Sequence, residues 1–577
     1  MKYRRTGANI AGMSTVDSLK PFFQPRSVAV VGASSRTTSV GHAVLKNLST
    51  FPGTVFAVNR KGGEILGHKA WKSLTEIAES GETPDLVVVC IPPQYIPGLI
   101  DEAGSAGTRA VIVISAGFAE MGEEGKALQD QLVVRARKHG IRIIGPNCLG
   151  VIRPSSGLDA SFAATAPRPG KIALLSQSGA LITGLISYAE REGFGLSAAV
   201  SLGAKSDVDD QEVLEYFAQD DETTAIAVYL EGAQNPREFF ETLRRVNARK
   251  PVVCIKGGST EGGAKAASSH TGSLAGSASA YRAAFAQAGV LEATSVGQFA
   301  AWARALAHQP PATGRRVAIV TNAGGPGVLA ADAAYRAGLE LATLSDETMA
   351  ALNSVMPSVW SRNNPIDVIG DATPDRYAAA LDIVGQAPEV DAVVVIMTVQ
   401  AMTDPLGCAQ AIAGASADSA WRKPLACSFI GLVGTEVGRF LDERGVPEFN
   451  TPERAVDAIS ALVRRGAEVL PTPLPPEADL SGEHPDPDLE QAALLVQSAL
   501  DAGQSNLDLG RAREVLAAAG IRYNGSGTAT DDEAAVVLAE SLGYPVVVKV
   551  NSPDVVHKSD VGGVELSIPD AEGVREA

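Results

Sequence analysis

The chain has 577 residues, which is too long for one hydrophobic core and predicts roughly three to five domains at the usual domain size. Apolar residues make up 45% and charged residues 20%, as in ordinary globular proteins. The net charge of −17 argues against binding to nucleic acid or to an acidic membrane surface. The five cysteines have no paired spacing, and no apolar run is long enough to span a bilayer, so we expect free thiols and a cytoplasmic protein.

The first block, about residues 20–147, alternates apolar runs with amphipathic helical stretches, which predicts a parallel sheet covered by helices on both faces. Its strand candidates are Ser27–Val31, Val55–Val58, Leu86–Ile91, Ala110–Ile114 and Ile141–Ile144. The first strand ends in a turn at Gly32, and a helix begins near Gly41. Such a turn suits a phosphate, but the full G-x-G-x-x-G fingerprint is absent, so a purely structural turn stays open.

Later turns of this block carry further residues of types that bind ligands. They contain Arg60 and Lys61 after the second strand, Pro92 and Pro93 after the third, Ser115–Phe118 after the fourth, and Asn147 after the fifth. Ligands bind open parallel sheets beyond the carboxyl ends of the strands, where all these turns lie. The block therefore predicts one binding edge.

The second block, about residues 148–310, repeats the alternation of strands and helices. Its strand candidates are Lys171–Leu175, Leu196–Val200, Ala225–Leu230 and Val252–Ile255. Ser178 can cap the helix after the first of these strands, and the free N–H groups there favour an anion, although an ordinary N-cap explains it equally well. Glu231 follows the third strand, a position where an acid is usually just solvated.

A loop rich in Gly, Ala and Ser follows the fourth strand of the second block and surrounds a single imidazole, that of His270. Small residues let backbone approach a ligand closely, and imidazole is a nucleophile near neutral pH whose two nitrogens can divide labour. Taken alone, a loop histidine of this kind would be inert.

The third block follows the proline-rich joint at Gln309–Pro311. Its predicted elements are strands near Val317–Thr321, Ala392–Met397 and Pro424–Ser428 and a helix around Pro452–Arg465, with a glycine-rich turn at Gly324, Gly325 and Gly327. Residues 469–488 are rich in Pro and acids and predict a linker. The last block has predicted helices at Asp508–Ala519 and Asp531–Leu542 and a strand at Pro545–Val550, where we expect Lys549 to be buried against an anionic partner.

Taken in order, these motifs resemble those of the nucleoside-diphosphate-forming acyl-CoA synthetases, which include ADP-forming acetyl-CoA synthetase and succinyl-CoA synthetase. The resemblance implies an α/β chain of three consecutive Rossmann- or flavodoxin-like parallel-sheet domains followed by an ATP-grasp domain that is incomplete here. The implied divisions are a CoA-binding domain at 20–147, a ligase domain with a phosphohistidine loop at 148–310, a second ligase domain at 311–468, a linker at 469–488 and part of the ATP-grasp domain at 489–577.

The resemblance also implies roles for individual residues. The implied CoA contacts are Gly32, Ser34, Lys61, Pro92, Pro93, Ser115, Gly117 and Asn147. His270 would carry a phosphoryl group, oriented by Glu231. The implied phosphate cradles are Ser176, Ser178 and Gly179 on one side and Gly324, Gly325 and Gly327 on the other. Lys549 would hold nucleotide phosphates, and His557 would be a second phosphorylated histidine.

The implied reaction joins a carboxylic acid, CoA and ATP to give acyl-CoA, ADP and phosphate through acyl phosphate and phosphohistidine intermediates, with ADP or GDP left open. No metal ligand is predicted within the chain: the acids for Mg²⁺ are expected beyond residue 577, so this chain alone is expected to lack ATP turnover. We expect a homo-oligomer, a dimer, with no nucleic-acid or membrane partner. The alternatives are a non-catalytic or regulatory CoA-binding protein, which the pairing of His270 with Glu231 disfavours, and an NAD-dependent oxidoreductase, which the incomplete fingerprint disfavours.

Overall fold

The computed structural model describes residues 14–260, 262–263, 265, 277–418, 421–432, 435–468, 487–504, 506–507, 509–521, 523–552 and 558–577. The predicted phosphohistidines His270 and His557 lie outside the described residues. The chain divides into two compact units, Met1–Thr472 and Pro473–Ala577, and each is described by itself.

The first sheet has seven strands in the order β3-β4-β2-β1-β5-β6-β7. These are β1 Ser27–Val31, β2 Thr54–Val58, β3 Gly63–Ile65, β4 His68–Trp71, β5 Leu86–Val89, β6 Ala110–Val113 and β7 Arg142–Ile144. The accompanying helices are α1 Thr15–Phe23, α2 Val40–Asn47, α3 Leu74–Glu79, α4 Ile96–Ser105 and α5 Glu123–His139. The central strands are buried along their length because helices cover both faces, which explains their unbroken Val and Ile runs.

The second sheet also has seven strands, in the order β14-β13-β12-β10-β11-β8-β9. They are β8 Gly150–Arg153, β9 Leu158–Ser161, β10 Pro169–Ser176, β11 Leu196–Ser201, β12 Ala225–Leu230, β13 Val252–Lys256 and β14 Leu291–Glu292. The described helices of this part are α6 Gly179–Glu192, α7 Asp210–Gln219, α8 Pro236–Arg249, α9 Ala278–Gln287 and α10 Val296–His308.

The third sheet has the order β16-β15-β18-β19-β20, with β17 also paired to β15, and every pair in it is parallel. The strands are β15 Arg316–Thr321, β16 Glu340–Leu341, β17 Ile366–Asp367, β18 Ala392–Thr398, β19 Leu425–Ile430 and β20 Glu448–Phe449. The helices are α11 Gly324–Arg336, α12 Asp346–Val355, α13 Pro374–Gln386, α14 Pro405–Ala417, α15 Glu436–Glu443 and α16 Pro452–Glu468.

The α/β class of three parallel-dominated sheets is confirmed, but two hairpins depart from the expected purely parallel arrangement. Strand β3 pairs antiparallel with β4, and β8 pairs antiparallel with both β9 and β11. In the two hairpins the reason is the length of the connection: Leu66 and Gly67, both with positive φ, join β3 to β4, and residues 154–157 join β8 to β9. Only antiparallel strands can be joined by so short a turn, whereas parallel strands need a long crossover.

The second and third sheets share one hydrophobic core. Helix α10 lies between them and packs against α16, and its face of buried alanines and aromatic rings belongs to the same cluster as residues of β15 and β18. The indole nitrogen of Trp302 donates to the carbonyl of Asp457 at 3.1 Å, which fixes the two helices. No helix among the described residues combines the length and the apolar character needed to cross a membrane.

The second unit has a small core of Val536, Ala539, Ile568 and Val574. Its described elements are α17 Leu489–Asp501, α18 Leu509–Ala518, α19 Asp532–Leu542, α20 Ala571–Glu576 and the antiparallel pair β21 Val546–Lys549 and β22 Val564–Ile568. The expected burial of Lys549 is wrong: its side chain is exposed. Exposure alternates along β21, and Lys549 shares the uncovered face with Val547.

Candidate active site

The turn between β1 and α2 brings backbone very close to backbone at the carboxyl ends of the strands of the first sheet. A Cβ placed on Gly32 would lie 2.5 Å from the carbonyl oxygen of Cys90, and one on Gly41 would lie 2.0 Å from the carbonyl oxygen of Gly32. Only glycine fits either position. The turn presents Ser34, whose hydroxyl accepts a hydrogen bond from the Arg36 amide at 3.1 Å.

Asn59, which the sequence did not single out, ties this turn to the cations after β2. Its amide nitrogen donates to the carbonyl of Ala33 at 2.7 Å, and its side-chain oxygen accepts from the backbone of Lys61 at 2.9 Å. The Arg60 guanidinium lies 5.2 Å from the centroid of the Tyr95 ring. Lys61 is thus held, with an exposed side chain, beside the glycine turn.

The remaining predicted turns of the first sheet meet at the same edge. The Ser115 hydroxyl donates to the carbonyl of Ile91 at 2.6 Å, and the Asn147 amide donates to the carbonyl of Ser115 at 3.0 Å. The backbone of Gly117 lies against the Pro93 ring, since a Cβ on Gly117 would sit 2.7 Å from the ring. The turns after three successive strands are therefore neighbours.

Two turns, one in each of the other sheets, share one hydrogen-bond geometry. The Ser176 hydroxyl accepts from the Ser178 amide at 2.9 Å and donates to its carbonyl at 2.8 Å. The Thr321 hydroxyl does the same with Ala323, at 3.1 and 2.9 Å. The predicted N-cap is confirmed, because the Ser178 hydroxyl accepts from the Leu181 amide at 3.3 Å.

The two turns differ at the helix that follows. Gly179 begins α6 behind the Ser178 cap, whereas α11 begins at Gly324 with no side-chain cap from Ala323. Gly325 and Gly327 lie in that first turn. Uncapped N–H groups at a helix start form an anion site, since the helix dipole adds a partial positive charge there.

The turn that carries Glu231 is held by a buried polar network. The Gln177 side-chain oxygen accepts from the amides of Glu231 and Gly232 at 2.9 and 3.1 Å. Its nitrogen donates to the Gly232 carbonyl at 3.0 Å and to Asp210 at 3.1 Å. The Lys205 ammonium donates to Asp210 at 2.6 Å and to the Gly232 carbonyl at 2.7 Å. Hydrogen bonds therefore hold both the amide and the carbonyl group of Gly232, the residue after Glu231.

Glu231 is half-buried, and its carboxylate affects two titratable neighbours, Tyr229 and Lys256. The Tyr229 hydroxyl lies 3.4 Å from the Glu231 carboxylate, and burial together with that carboxylate raises the pKa of Tyr229. Lys256, only 4% exposed, stands over the Tyr281 ring with its nitrogen 5.0 Å from the centroid. Burial lowers the pKa of Lys256, while Glu231 opposes that shift. One carboxylate and one desolvated ammonium thus face this region.

The loop after β11 physically connects the first sheet to this network. The Ala204 amide donates to the carbonyl of Pro146 at 2.9 Å, and the Ser206 hydroxyl donates to the carbonyl of Gly145 at 2.9 Å. Lys205 lies between these two contacts. The residues that hold the Glu231 turn are therefore anchored to the turn that ends in Asn147.

A cavity of about 800 Å³ lies where these features meet. Its polar lining is Glu120, Gln129, Asn147, Gln177, Lys205, Glu231, Gln234 and Ser277. Its apolar lining includes Phe239, Phe240, Leu243, Tyr281, Ala284 and Phe285. Asn147 and Glu231, predicted separately from two blocks, thus line one space. Ser277, seven residues after His270, lies on the same wall.

Gln177, Lys205 and Asp210 were not identified as site residues from the sequence. The one sequence feature that could have indicated them is Lys205, a lysine in a loop of small residues beyond a strand end. Among the described residues, no group of three or more His, Cys, Asp or Glu side chains could hold a metal ion.

Family models match almost all of the chain. Residues 26–154 match a CoA binding domain, 169–306 a succinyl-CoA ligase like flavodoxin domain, 317–471 a ligase-CoA domain and 498–577 an ATP-grasp domain. The four matches follow one another in the order of the described sheets and the second unit.

Several characterised proteins are similar over most of their length. The ADP-forming acetate–CoA ligase I of Archaeoglobus fulgidus is 42% identical over 551 residues, which cover 95% of this chain and 78% of that protein. The alpha subunit of the ADP-forming acetate–CoA ligase I of Pyrococcus furiosus is also 42% identical. That match covers 78% of this chain and 97% of the subunit. The 4-hydroxybutyrate–CoA ligase of Nitrosopumilus maritimus is 32% identical, with 79% of it covered.

Solved structures agree. A dinucleotide forming acetyl-coenzyme A synthetase 1 from Ca. Korarchaeum cryptofilum, in complex with phosphate and ADP, superposes with a TM-score of 0.72 at 36% identity. The match covers 78% of this chain and 97% of that one. PH0766 from Pyrococcus horikoshii OT3 gives the same TM-score of 0.72 and covers 78% of this chain and 99% of its own.

Proposed function

The chain belongs to the family of ADP-forming acyl-CoA ligases, and from that premise we propose that it joins a carboxylic acid to CoA through an acyl phosphate and a phosphohistidine. The overall reaction consumes ATP and releases ADP and phosphate. One observation carries the proposal: the Asn147 turn of the CoA-type sheet and the Glu231 turn of the flavodoxin-like sheet line one cavity. A thiol delivered at the first turn and a phosphoryl group carried at the second would meet there.

CoA occupies the edge of the first sheet in this proposal. Its phosphates lie at the Gly32 turn, near Ser34 and Lys61, where local N–H groups and one ammonium offset the negative charge of the whole molecule. The remaining contacts are Pro92, Pro93, Ser115, Gly117 and Asn147, with the thiol at the Asn147 end. The hydrogen bond from Asn147 to Ser115 and that from Ser115 to Ile91 support this placement, because they join the turns after β5, β6 and β7.

His270 is the proposed phosphate carrier and Glu231 the acid that orients it. Ser277 lines the cavity, and the seven residues from His270 to Ser277 span at most roughly 25 Å when extended, so the imidazole can reach Glu231. The Glu231 carboxylate accepts a hydrogen bond from one ring nitrogen, which leaves the other free to attack phosphorus. The starts of α6 and α11, with Ser176, Ser178, Gly179, Gly324, Gly325 and Gly327, are the proposed phosphate cradles.

The forward steps balance without a further reactant. Phosphohistidine transfers its phosphoryl group to the carboxylate of the acid, and the CoA sulfur then attacks the acyl carbon and displaces phosphate. Positioning and charge neutralisation do most of the work in such transfers. We further propose that Lys549 and His557 serve the nucleotide, that Mg²⁺ accompanies its phosphates, and that the protein is a cytoplasmic homodimer.

The test is covalent labelling of the histidine. Wild-type protein incubated with acyl-CoA and ³²P-phosphate should gain an acid-labile, base-stable label. His270→Ala should gain none, whereas His68→Ala, a change on strand β4 of the first sheet, should label like wild type. Equal labelling of His270→Ala and wild type would refute the phosphate-carrier role. CoA binding without any labelling of the wild type would support a non-catalytic CoA-binding protein instead.

A further inference from the structure

We propose that the cavity of about 800 Å³ is the acyl pocket, and that it selects monocarboxylic acids with a bulky apolar substituent, branched or aromatic. The inference rests on the proposed function, because that function places the CoA thiol at Asn147 and the phosphate carrier at Glu231. The acyl carbon must then lie between these two residues, inside the cavity that both of them line.

Polar and apolar lining residues of the cavity come from different secondary-structure elements. Polar side chains come from turns at the carboxyl ends of strands, namely Asn147 after β7, Gln177 after β10 and Glu231 after β12. Apolar side chains come from helices α8 and α9. A carboxyl group placed among the strand ends therefore directs its substituent toward the two helices.

Helix α8 presents the main apolar wall. Phe239 and Leu243, one turn apart, are buried and belong to the core, and Phe240 beside them is half-buried and packs against that core. Phe240 is thus the large apolar residue of this wall that keeps part of its ring uncovered. From α9, Phe285 completes the wall and is buried. The fixed residues shape the pocket, and Phe240 is the one best placed to set its depth.

Helix α9 is fastened to the reacting end of the cavity. The Tyr281 hydroxyl oxygen accepts a hydrogen bond from the Ala233 amide at 2.8 Å, two residues after Glu231. The apolar wall and the carboxylate that orients the histidine therefore keep a fixed separation. A substituent that fills the wall also places its carboxyl group relative to Glu231.

Size argues for a large substituent. Cavities of roughly 300–1,000 Å³ hold drug-sized ligands, whereas the methyl group of acetate would leave most of this wall without contact. Each buried methylene favours binding about fourfold. Extending the acid from acetate to a branched or phenyl-bearing acid should therefore raise kcat/KM on the order of 10- to 100-fold.

Charge argues against a second carboxylate. Lys205 is the cation among the residues lining the cavity, and its ammonium is already bound to Asp210 and the Gly232 carbonyl. The apolar wall offers no cation, its one hydroxyl, that of Tyr281, is held at the Ala233 amide, and the lining already carries Glu120 and Glu231. An unpaired carboxylate placed there would be desolvated without compensation. Dicarboxylic acids should therefore be poorer substrates than monocarboxylic acids.

The test uses arsenate in place of phosphate. Its oxygen attacks the acyl carbon of acyl-CoA and releases CoA, and the acyl arsenate then hydrolyses in water, so turnover needs no nucleotide. Free thiol would be measured with acetyl-CoA, isovaleryl-CoA, phenylacetyl-CoA and succinyl-CoA. We expect kcat/KM to be highest for the branched and aromatic substrates and lowest for succinyl-CoA.

Two substitutions at one position then probe the wall. Phe240→Trp should shorten the pocket and lower kcat/KM for phenylacetyl-CoA at least 10-fold while leaving acetyl-CoA within about threefold. Phe240→Ala should exchange the ranking of isovaleryl-CoA and phenylacetyl-CoA by kcat/KM. Phe440→Ala, which removes a half-buried ring from α15 in the third domain, is the matched control and should leave the selectivity unchanged.

The outcomes separate the two hypotheses. Wild-type protein that releases CoA from none of the substrates would contradict the proposed function itself. Protein that prefers acetyl-CoA or succinyl-CoA, with a selectivity that neither Phe240 variant alters, would leave the function standing and overturn the acyl pocket.

Discussion

Lys205 is a buried cation whose conformation is unfavourable on its own. Its φ is 51°, in the left-handed region that costs a side-chain-bearing residue about 1 kcal/mol or more, and it is only 6% exposed. The bonds to Asp210 and the Gly232 carbonyl offset both costs. Because Gly232 lies 27 residues further along the chain, the tertiary fold creates this role, and the local sequence reads as a surface loop.

We predict that Lys205→Met loosens the Glu231 turn. Methionine keeps the length of the side chain but leaves Asp210 with Gln177 as its remaining side-chain donor in the network described above. Breaking a buried pair by removing one partner should lower the free energy of unfolding by about 3 kcal/mol. Arsenate-dependent release of CoA should fall at least 10-fold in kcat with little change in the KM for acyl-CoA, and exchange of the Glu231 and Gly232 amides with deuterium should accelerate.

Lys250→Met is the matched control for that prediction. The Lys250 ammonium also donates to two backbone carbonyls, those of Phe217 and Asp220, but it lies outside the cavity lining. The control should lose stability without the fall in kcat. If both variants lose activity in proportion to stability, Lys205 is only structural.

At the scale of elements, the long buried strands were predictable and the short ones were not. The predicted bounds Ser27–Val31 and Ala225–Leu230 are those found, because a strand buried on both faces is a continuous apolar run between polar turns. Strands β3, β8 and β9 escaped prediction because they are three or four residues long and add to sheet edges. At that length neither periodicity nor apolar content distinguishes a strand from a loop.

The sequence predicted the glycine turns, but it did not predict the Asn and Gln side chains whose amide groups hold those turns in place. The Asn322 amide nitrogen donates to the Thr398 carbonyl at 2.9 Å, and its oxygen accepts from the Thr398 amide at 2.8 Å. Gln177 plays the corresponding part in the second sheet. Each amide joins its turn to a neighbouring strand end 54 to 76 residues away, a contact that no local pattern announces.

The uncapped start of α11 supports a prediction about the second phosphate cradle. Ala323 has the extended backbone of an N-cap without a side chain that can serve as one. Ala323→Asp should cap the helix and raise the free energy of unfolding by about 1 kcal/mol. The same carboxylate would repel a bound phosphoryl group by about 4 kcal/mol at a separation of 4 Å. CoA release with arsenate should therefore fall on the order of 1,000-fold.

Ala323→Ser is the uncharged control for this prediction. It should give a similar gain in stability, measured by urea unfolding, and keep CoA release within about threefold of wild type. An Ala323→Asp protein that turns over as fast as Ala323→Ser would show that no phosphate binds at the start of α11.

At the scale of the whole molecule, the proline-rich joint is tied to the third sheet on both sides, although Pro310 and Pro311 themselves are exposed. The Gln309 side-chain oxygen accepts from the Leu425 amide at 2.8 Å, and the Ala312 amide donates to the Leu462 carbonyl at 3.1 Å. Composition marks the change of sheet correctly, but it cannot distinguish a joint packed by its neighbours from a free one. The packing arises because α10 and α16 bury their apolar faces against each other.

Gly466 tests whether this joint makes the second and third sheets one cooperative body. A Cβ on Gly466 would lie 1.9 Å from the Ala312 carbonyl oxygen, so Gly466→Ala must push α16 away from the joint. Backbone cannot yield as a flexible side chain would, and we expect the free energy of unfolding to fall by about 2–3 kcal/mol.

Gly414→Ala is the control: it is the same glycine-to-alanine change, but it should raise the free energy of unfolding instead of lowering it. Gly414 is an exposed residue of α14 with no atom within 4 Å of its Cβ direction, so alanine there should stabilise the protein by up to about 1 kcal/mol. Urea unfolding followed by tryptophan fluorescence, which includes Trp302 at the interface, should stay a single transition for Gly414→Ala. For Gly466→Ala it should shift to lower urea, and protease should cut the Gln309–Pro311 joint faster. Equal stability of the two variants would mean that the joint does not couple the sheets.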